Sequence, residues 1–326
     1  MSLGAGLESC LESCLELCLG LLPSAKECAV ELHFRDPYLD LSHTEIMGTL
    51  DLDPTVHLSA DEIVARASDF AESGATFIEF SVGKFAPNPV SDEVASNIVC
   101  DAIAALGSDP ELPIPAVYTS SPAVMKAAVE AGAKIVVDPL ALRAPGALEM
   151  AASLDCAICL LYDQNVEFAE NDGTDPCGTV SEFFYERIDA CLNAKIERRR
   201  LILDPMISIN TSMEYRLKMM GRFKSLTSFG LPLSCELPRA VSTTNDADTI
   251  EGANRNLTQE PAIVTTVALF LEQQGVRLIR TKCVYDMALG LDTWHALNRS
   301  ARPFRLTRAI GKTIRRLAQK KGLKAK

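Results

Sequence analysis

Ser121-Pro-Ala-Val-Met-Lys-Ala-Ala-Val-Glu-Ala-Gly-Ala-Lys-Ile-Val-Val-Asp138 reads as one helix–strand unit. Ser121 followed by Pro122 gives a helix start, with proline at the first helical position, where its missing N–H costs nothing. Ala123–Ala131 carries a helical pattern. Gly132 stands just past its end, where a positive φ is often needed. Lys134–Asp138 is a short β-rich run that ends on a carboxylate.

The same unit recurs in both directions along the chain. Short β-rich runs occur at Glu45–Leu50, Thr76–Val82, Ile114–Tyr118, Lys134–Asp138, Ala157–Tyr162, Leu201–Asp204, Pro232–Glu236 and Val276–Arg280. Helical patterns follow them at Ala60–Glu72, Asp92–Leu106, Ala123–Ala131, Pro145–Ala152, Ser181–Ala194, Met213–Phe223, Pro261–Gln274 and Tyr285–Leu297. Ser59 and Glu62 have capping-box spacing, and Gly275 repeats the stop seen at Gly132. Strands that alternate with helices in this way predict a closed (β/α)8 TIM barrel, which commonly takes roughly 250 residues. An open doubly wound sheet is the rival, but no Gly-x-Gly-x-x-Gly turn follows the first run.

The predicted division is a leader at 1–43, a barrel at 44–299 and a basic tail at 300–326. Leu7, Cys10, Leu11, Cys14, Leu15 and Cys18 put an apolar stripe on one helix face of the leader. Glu8, Glu12 and Glu16 interrupt it, so it makes a poor signal peptide. The net charge of −11 hides a segregation of sign: Arg299 to Lys326 contains eleven Lys or Arg and no Asp or Glu, so the rest carries −22. Leu306, Ile310, Ile314 and Leu317 would lie on one side of a tail helix. The basic side predicts a solvated helix, with contact to nucleic acid or an anionic surface as the alternative.

No apolar run reaches about 18 residues, so no transmembrane segment is expected. Eleven scattered cysteines without framework spacing suit free thiols in a reducing, cytoplasmic setting. Cys156 and Cys159 form a C-x-x-C, but residues three apart on a strand face opposite ways, which argues against a redox pair. The four histidines have no metal-ligand spacing.

In a parallel barrel the carboxyl ends of the strands line the site. Those ends carry Asp51 and Asp53, Lys84, Tyr118 and Thr119, Asp138, Asp163, Asp204, Glu236 and Arg239, and Arg280 and Lys282. Carboxylates mixed with a few cations suit an anionic, nitrogen-rich ligand. The acids accept from an amidine-like edge, and an arginine can grip a phosphate or carboxylate bidentately. Singly, each has a structural alternative, such as Asp204 capping a loop or Arg280 pairing with Asp51 or Glu236.

Several segments resemble, in order, the dihydropteroate synthase family. Ile46-Met-Gly-Thr-Leu-Asp-Leu-Asp-Pro54 resembles its Ile-Met-Gly-Ile-Leu-Asn-Val-Thr-Pro. Gly74-Ala-Thr-Phe-Ile-Glu79 resembles Gly-Ala-Asp-Ile-Ile-Asp, and Gly132-Ala-Lys-Ile-Val-Val-Asp138 resembles Gly-Ala-Asp-Ile-Ile-Asn-Asp. Leu201-Ile-Leu-Asp-Pro205, Gly230-Leu-Pro232 and Arg280 match the sixth, seventh and eighth strand motifs. The resemblance implies a barrel that joins a dihydropterin pyrophosphate to p-aminobenzoate with Mg2+ assistance. It also implies a homodimer, or partnership with an active synthase. Asp204 would read the pterin-like ligand, Arg280 and Arg239 would serve catalysis at the anionic groups, and Asp51 would hold Mg2+. Asp138, Tyr118, Lys84 and Lys282 would complete the ligand site.

The sequence departs from the family where the chemistry lies. Tyr118 replaces the third-strand aspartate, Val137 the fourth-strand asparagine, Ala240 the lysine after the seventh strand, and Lys282 the histidine of Arg-x-His. Each lost charge-assisted hydrogen bond is worth roughly 1.5–3 kcal/mol. The residues leave three readings open. One is a divergent paralogue with weak, lost or repurposed activity. Another is an active synthase with relocated groups. The last is a pterin-dependent methyltransferase.

Overall fold

The computed structural model describes residues 31–32, 39–41, 43–84, 89–162, 176–205, 213–237 and 261–298. Within them eight parallel strands close into a barrel, the last pairing with the first. The strands are β1 (Glu45–Leu52), β2 (Phe77–Val82), β3 (Ile114–Tyr118), β4 (Ile135–Asp138), β5 (Ala157–Leu161), β6 (Leu201–Asp204), β7 (Leu233–Glu236) and β8 (Val276–Thr281). The helices are α1 (Ala60–Ser73), α2 (Asp92–Leu106), α3 (Pro122–Ala131), α4 (Ala147–Ser153), α5 (Pro176–Asn193), α6 (Met213–Leu226), α7 (Pro261–Gln273) and α8 (Val284–Asn298). The (β/α)8 expectation is met, and the doubly wound rival falls because the sheet has no open edge.

The local signals work as read. The Ser59 side chain accepts from the Glu62 N–H, and Glu62 accepts in return from the Ser59 backbone, so α1 starts on a complete capping box. Ser121 caps α3, with Pro122 in its first turn. Gly132 and Gly275 hold φ of 126° and 96°.

Alternation along each strand sorts the core into two layers. Met47, Phe77, Ala116, Ile135, Val137, Ala157, Cys159, Leu161, Ile202 and Leu278 pack together inside the barrel. Ile46, Ile78, Phe80, Val117, Val136, Ile158, Leu160, Leu203 and Ile279 face outward, against the helices. Cys156 packs in the outer layer and Cys159 in the inner one, both as free thiols, as the C-x-x-C spacing on a strand predicts. Burial pushes the Cys156 thiol up to about 11, far from the range of a reactive thiolate.

The barrel's packing reaches back past residue 44. Leu41 is fully buried among the inner-layer side chains. Before it, the two-residue strands Glu31–Leu32 and Leu39–Asp40 pair antiparallel, which the leader's sequence did not suggest. The apolar stripe at 7–18 and the tail at 300–326 lie outside the described residues. Among the described residues no helix is long and apolar enough to cross a membrane.

Candidate functional site

Inward positions in the middle of β2 and toward the carboxyl ends of β1, β6, β7 and β8 place charged side chains together. Arg280 of β8 is fully buried at the centre of the cluster. Its Nη1 donates to Glu79 Oε2 at 2.7 Å, its Nε to Asp204 Oδ2 at 3.2 Å, and its Nη2 to Glu236 Oε2 at 3.2 Å. Burial alone would drive the guanidinium toward neutrality. Glu79, Glu236 and Asp204 more than reverse that and raise its pKa well above the ordinary value.

Lys84 arrives from the loop after β2. Its Nζ lies 3.0 Å from both carboxylate oxygens of Glu236 and 4.2 Å from the centre of the Tyr118 ring. The Arg280 guanidinium carbon is 6.0 Å from the same ring. Tyr118 therefore stands at the mouth as an apolar wall with a cation against its face. Burial pushes the Glu236 carboxyl up. The Arg280, Lys84 and Lys282 charges together outweigh that and hold it below the usual carboxylate range. Lys282 is exposed at the rim.

Asp51 sits beside this cluster. Its Oδ1 accepts from the Ser81 hydroxyl at 2.7 Å and from the Lys84 N–H at 3.1 Å. Oδ2 is left as the oxygen for a cation. Among the described residues no group of three His, Cys, Asp or Glu could hold a metal ion. A single carboxylate oxygen still fits Mg2+, which commonly takes one or two carboxylates and completes its octahedron with water and phosphate oxygens.

Asp138 stands elsewhere. Val137 occupies the inner layer, so Asp138 points outward to the helix side and is fully buried there. Its Oδ1 accepts from the Leu140 N–H at 2.7 Å and its Oδ2 from the Leu142 N–H at 2.8 Å. These bonds tie down a turn in which Ala141 and Leu142 take φ of 50° and 61°. Asp138, expected at the ligand site, is therefore not brought into the Arg280 cluster: strand parity turns it the other way. Asp53 likewise serves its own loop, accepting from the Thr55 N–H at 2.8 Å. Arg239 and Asp163 lie outside the described residues.

Sequence reading passed over Glu79 as a site residue. The signal was present: a carboxylate between Ile78 and Phe80, in a strand otherwise apolar up to Ser81. Such a group must find a cation when buried.

Three carboxylates, a buried arginine and a lysine against an aromatic ring thus come together inside an eight-stranded parallel barrel. Residues 52–282 match the family of pterin binding enzymes, and the chain belongs to that family. Its relatives narrow this further, since those it resembles are dihydropteroate synthases. The one from Escherichia coli (strain K12) is 29% identical over 212 residues, 62% of this chain and 75% of that protein. The one from Haemophilus influenzae is 25% identical over 284 residues, 82% of this chain and 98% of that protein. Among solved structures, dihydropteroate synthase from Xanthomonas albilineans in complex with 7,8-dihydropteroate matches with a TM-score of 0.69 and 27% identity, covering 84% of this chain and 99% of that one. The Yersinia pestis enzyme with a pterine-sulfa conjugate matches at 0.72 and 25%, covering 83% and 100%.

Proposed function

We propose that this chain is a dihydropteroate synthase-like barrel of folate biosynthesis that binds a pterin-like ligand and whose condensation activity is weak, lost or turned to another use. The observation that carries this reading is the parity of β4. Val137 presents an isopropyl group to the barrel interior where the family resemblance implies an amide. The neighbouring Asp138 cannot replace that amide, because its two oxygens are held by its own turn. Tyr118 adds a second apolar surface where the resemblance implies a carboxylate.

Asp204 remains in the interior to meet a nitrogen-rich edge, and Arg280 remains to meet an anion. Asp51 would hold Mg2+, which neutralises phosphate charge when bound. The loss of two polar contacts at roughly 1.5–3 kcal/mol each would cost two or more powers of ten in transition-state stabilisation. A member with that deficit would act by regulating or partnering an active synthase.

Calorimetry with a dihydropterin and with p-aminobenzoate, each with and without pyrophosphate, tests the reading. We expect dihydropterin binding together with absent or slow pteroate formation. Turnover at the rate of the Escherichia coli relative would refute the loss of activity, and a silent titration with dihydropterin would refute the ligand.

One observation favours a second reading, an active synthase with a relocated cation. Lys84 brings an ammonium into the cluster from the loop after β2, within 3.0 Å of Glu236. In that case Lys84→Ala would abolish turnover while dihydropterin still binds.

A further inference from the structure

The anion-gripping donors at the barrel mouth already hold an anion, and it belongs to the chain itself. The Glu236 carboxylate lies between Arg280 Nη2 at 3.2 Å and Lys84 Nζ at 3.0 Å. A phosphate, diphosphate or carboxylate entering from solvent would need those same N–H groups. Glu79 and Asp204 are different in kind. They hold Arg280 at Nη1 and Nε and are almost fully buried, at 1% and 0% side-chain exposure. Glu236 has 21% of its side chain exposed and stands on the mouth side.

We propose that Glu236 is an internal stand-in for the ligand's anionic group: it occupies the anion subsite between Arg280 and Lys84, and a phosphate-bearing ligand binds only by displacing it. Glu236 thereby sets specificity. It raises the cost of binding for every anion. It also selects ligands whose remaining contacts, or whose bound Mg2+, compensate for moving a carboxylate off two cations. The displaced carboxylate would also stand close to the incoming anion, and like charges brought together in a partly buried site repel one another. This inference rests on the reading of the mouth as an anion-binding site. It goes beyond that reading by naming the group that keeps the site closed to simple anions.

The test is a titration of the full-length chain with inorganic pyrophosphate, with and without Mg2+, at fixed ionic strength. Glu236→Gln keeps the side-chain volume and removes the charge. Arg280 would keep Glu79 and Asp204 as partners, so the core stays charge-compensated. Pyrophosphate affinity should rise by at least about tenfold in Glu236→Gln. Unchanged or weaker binding would overturn the proposal. Glu236→Ala is the second variant, for the case in which Glu236→Gln does not fold. It removes the resident carboxylate altogether and leaves Lys84 and Arg280 in place, so it should likewise strengthen pyrophosphate binding, and unchanged or weaker affinity would also overturn the proposal. Neither titration involves a pterin. Failure here is thus separate from failure of dihydropterin binding, which is measured in its own titration.

Discussion

Arg280 holds a position that few arginines tolerate, with no exposure and three carboxylates around one guanidinium. Such a group is weak evidence of net stabilisation, because desolvating four charges costs as much as their attraction returns. Removing only the cation is another matter. Arg280→Met would leave Glu79, Asp204 and Glu236 facing one another in the barrel, and we expect a loss of about 3–5 kcal/mol in urea denaturation. Adding Glu79→Gln to that variant should recover part of the loss, and strict additivity of the two substitutions would contradict the coupling. Asp138 gives the second residue-scale prediction. Burial pushes its carboxyl up to about 6 from a usual 3.8, against the Leu140 and Leu142 N–H groups, which favour the ionised form. The folded chain therefore binds more protons than the unfolded chain between those values. The stability this group contributes is present below about pH 4 and lost as pH rises through about 6. Denaturation of wild type and Asp138→Asn at a series of pH values should show wild type losing ground across that window, and a constant difference would count against it. The site was only partly legible in the chain. Asp204 and Arg280 could be named because strand ends line a barrel mouth, but their pairing spans 76 positions and that of Glu79 with Arg280 spans 201. No local pattern encodes such distances. Asp138 falls outside the cluster for a simpler reason, since adjacency to Val137 means opposite faces on a strand.

At the scale of elements, most boundaries were legible because two periods, 2 and 3.6, alternate cleanly and are punctuated by caps and glycines. Ile114–Tyr118, Leu201–Asp204 and Asp92–Leu106 were bounded to the residue. The helical pattern at Pro145–Ala152 was the shortest, and the structure starts that helix at Ala147 behind a left-handed Gly146. The packing of one element on another was not legible, and Gly48 shows why. A Cβ at this β1 position would lie 2.7 Å from the Phe70 ring of α1. The residue is glycine because a helix side chain occupies the space above the strand, a fact carried by the partner and not by the local sequence. Gly48→Ala should therefore cost about 1–3 kcal/mol by overpacking. The variant Gly48→Ala with Phe70→Leu should regain much of it. If thermal melting shows Gly48→Ala unchanged, the strand and helix are not in that contact.

For the molecule as a whole, closure of the barrel leaves two ends with different duties. The mouth carries the charges, and the opposite end must be sealed against water by apolar side chains. Leu41 belongs to that seal, fully buried with the inner layer although it lies in the stretch the sequence assigned to a leader. The boundary at 44 was drawn where the first β-rich run begins. A plug contributes no periodicity, because a single leucine ahead of a strand looks like any other loop residue. Its energetic role is nevertheless that of a core position. Leu41→Ala in the full-length chain should cost about 2–5 kcal/mol, the range for emptying a buried leucine site. A chain that begins at Thr44 loses the whole residue and exposes the inner layer beneath it, so it should be destabilised at least as much. A chain that begins at Leu39 keeps Leu41 and should fall between that truncation and the full-length protein. Equal urea midpoints for the Thr44 start and the full-length chain would mean that the barrel seals without its leader, and the assignment of Leu41 to the core would fail.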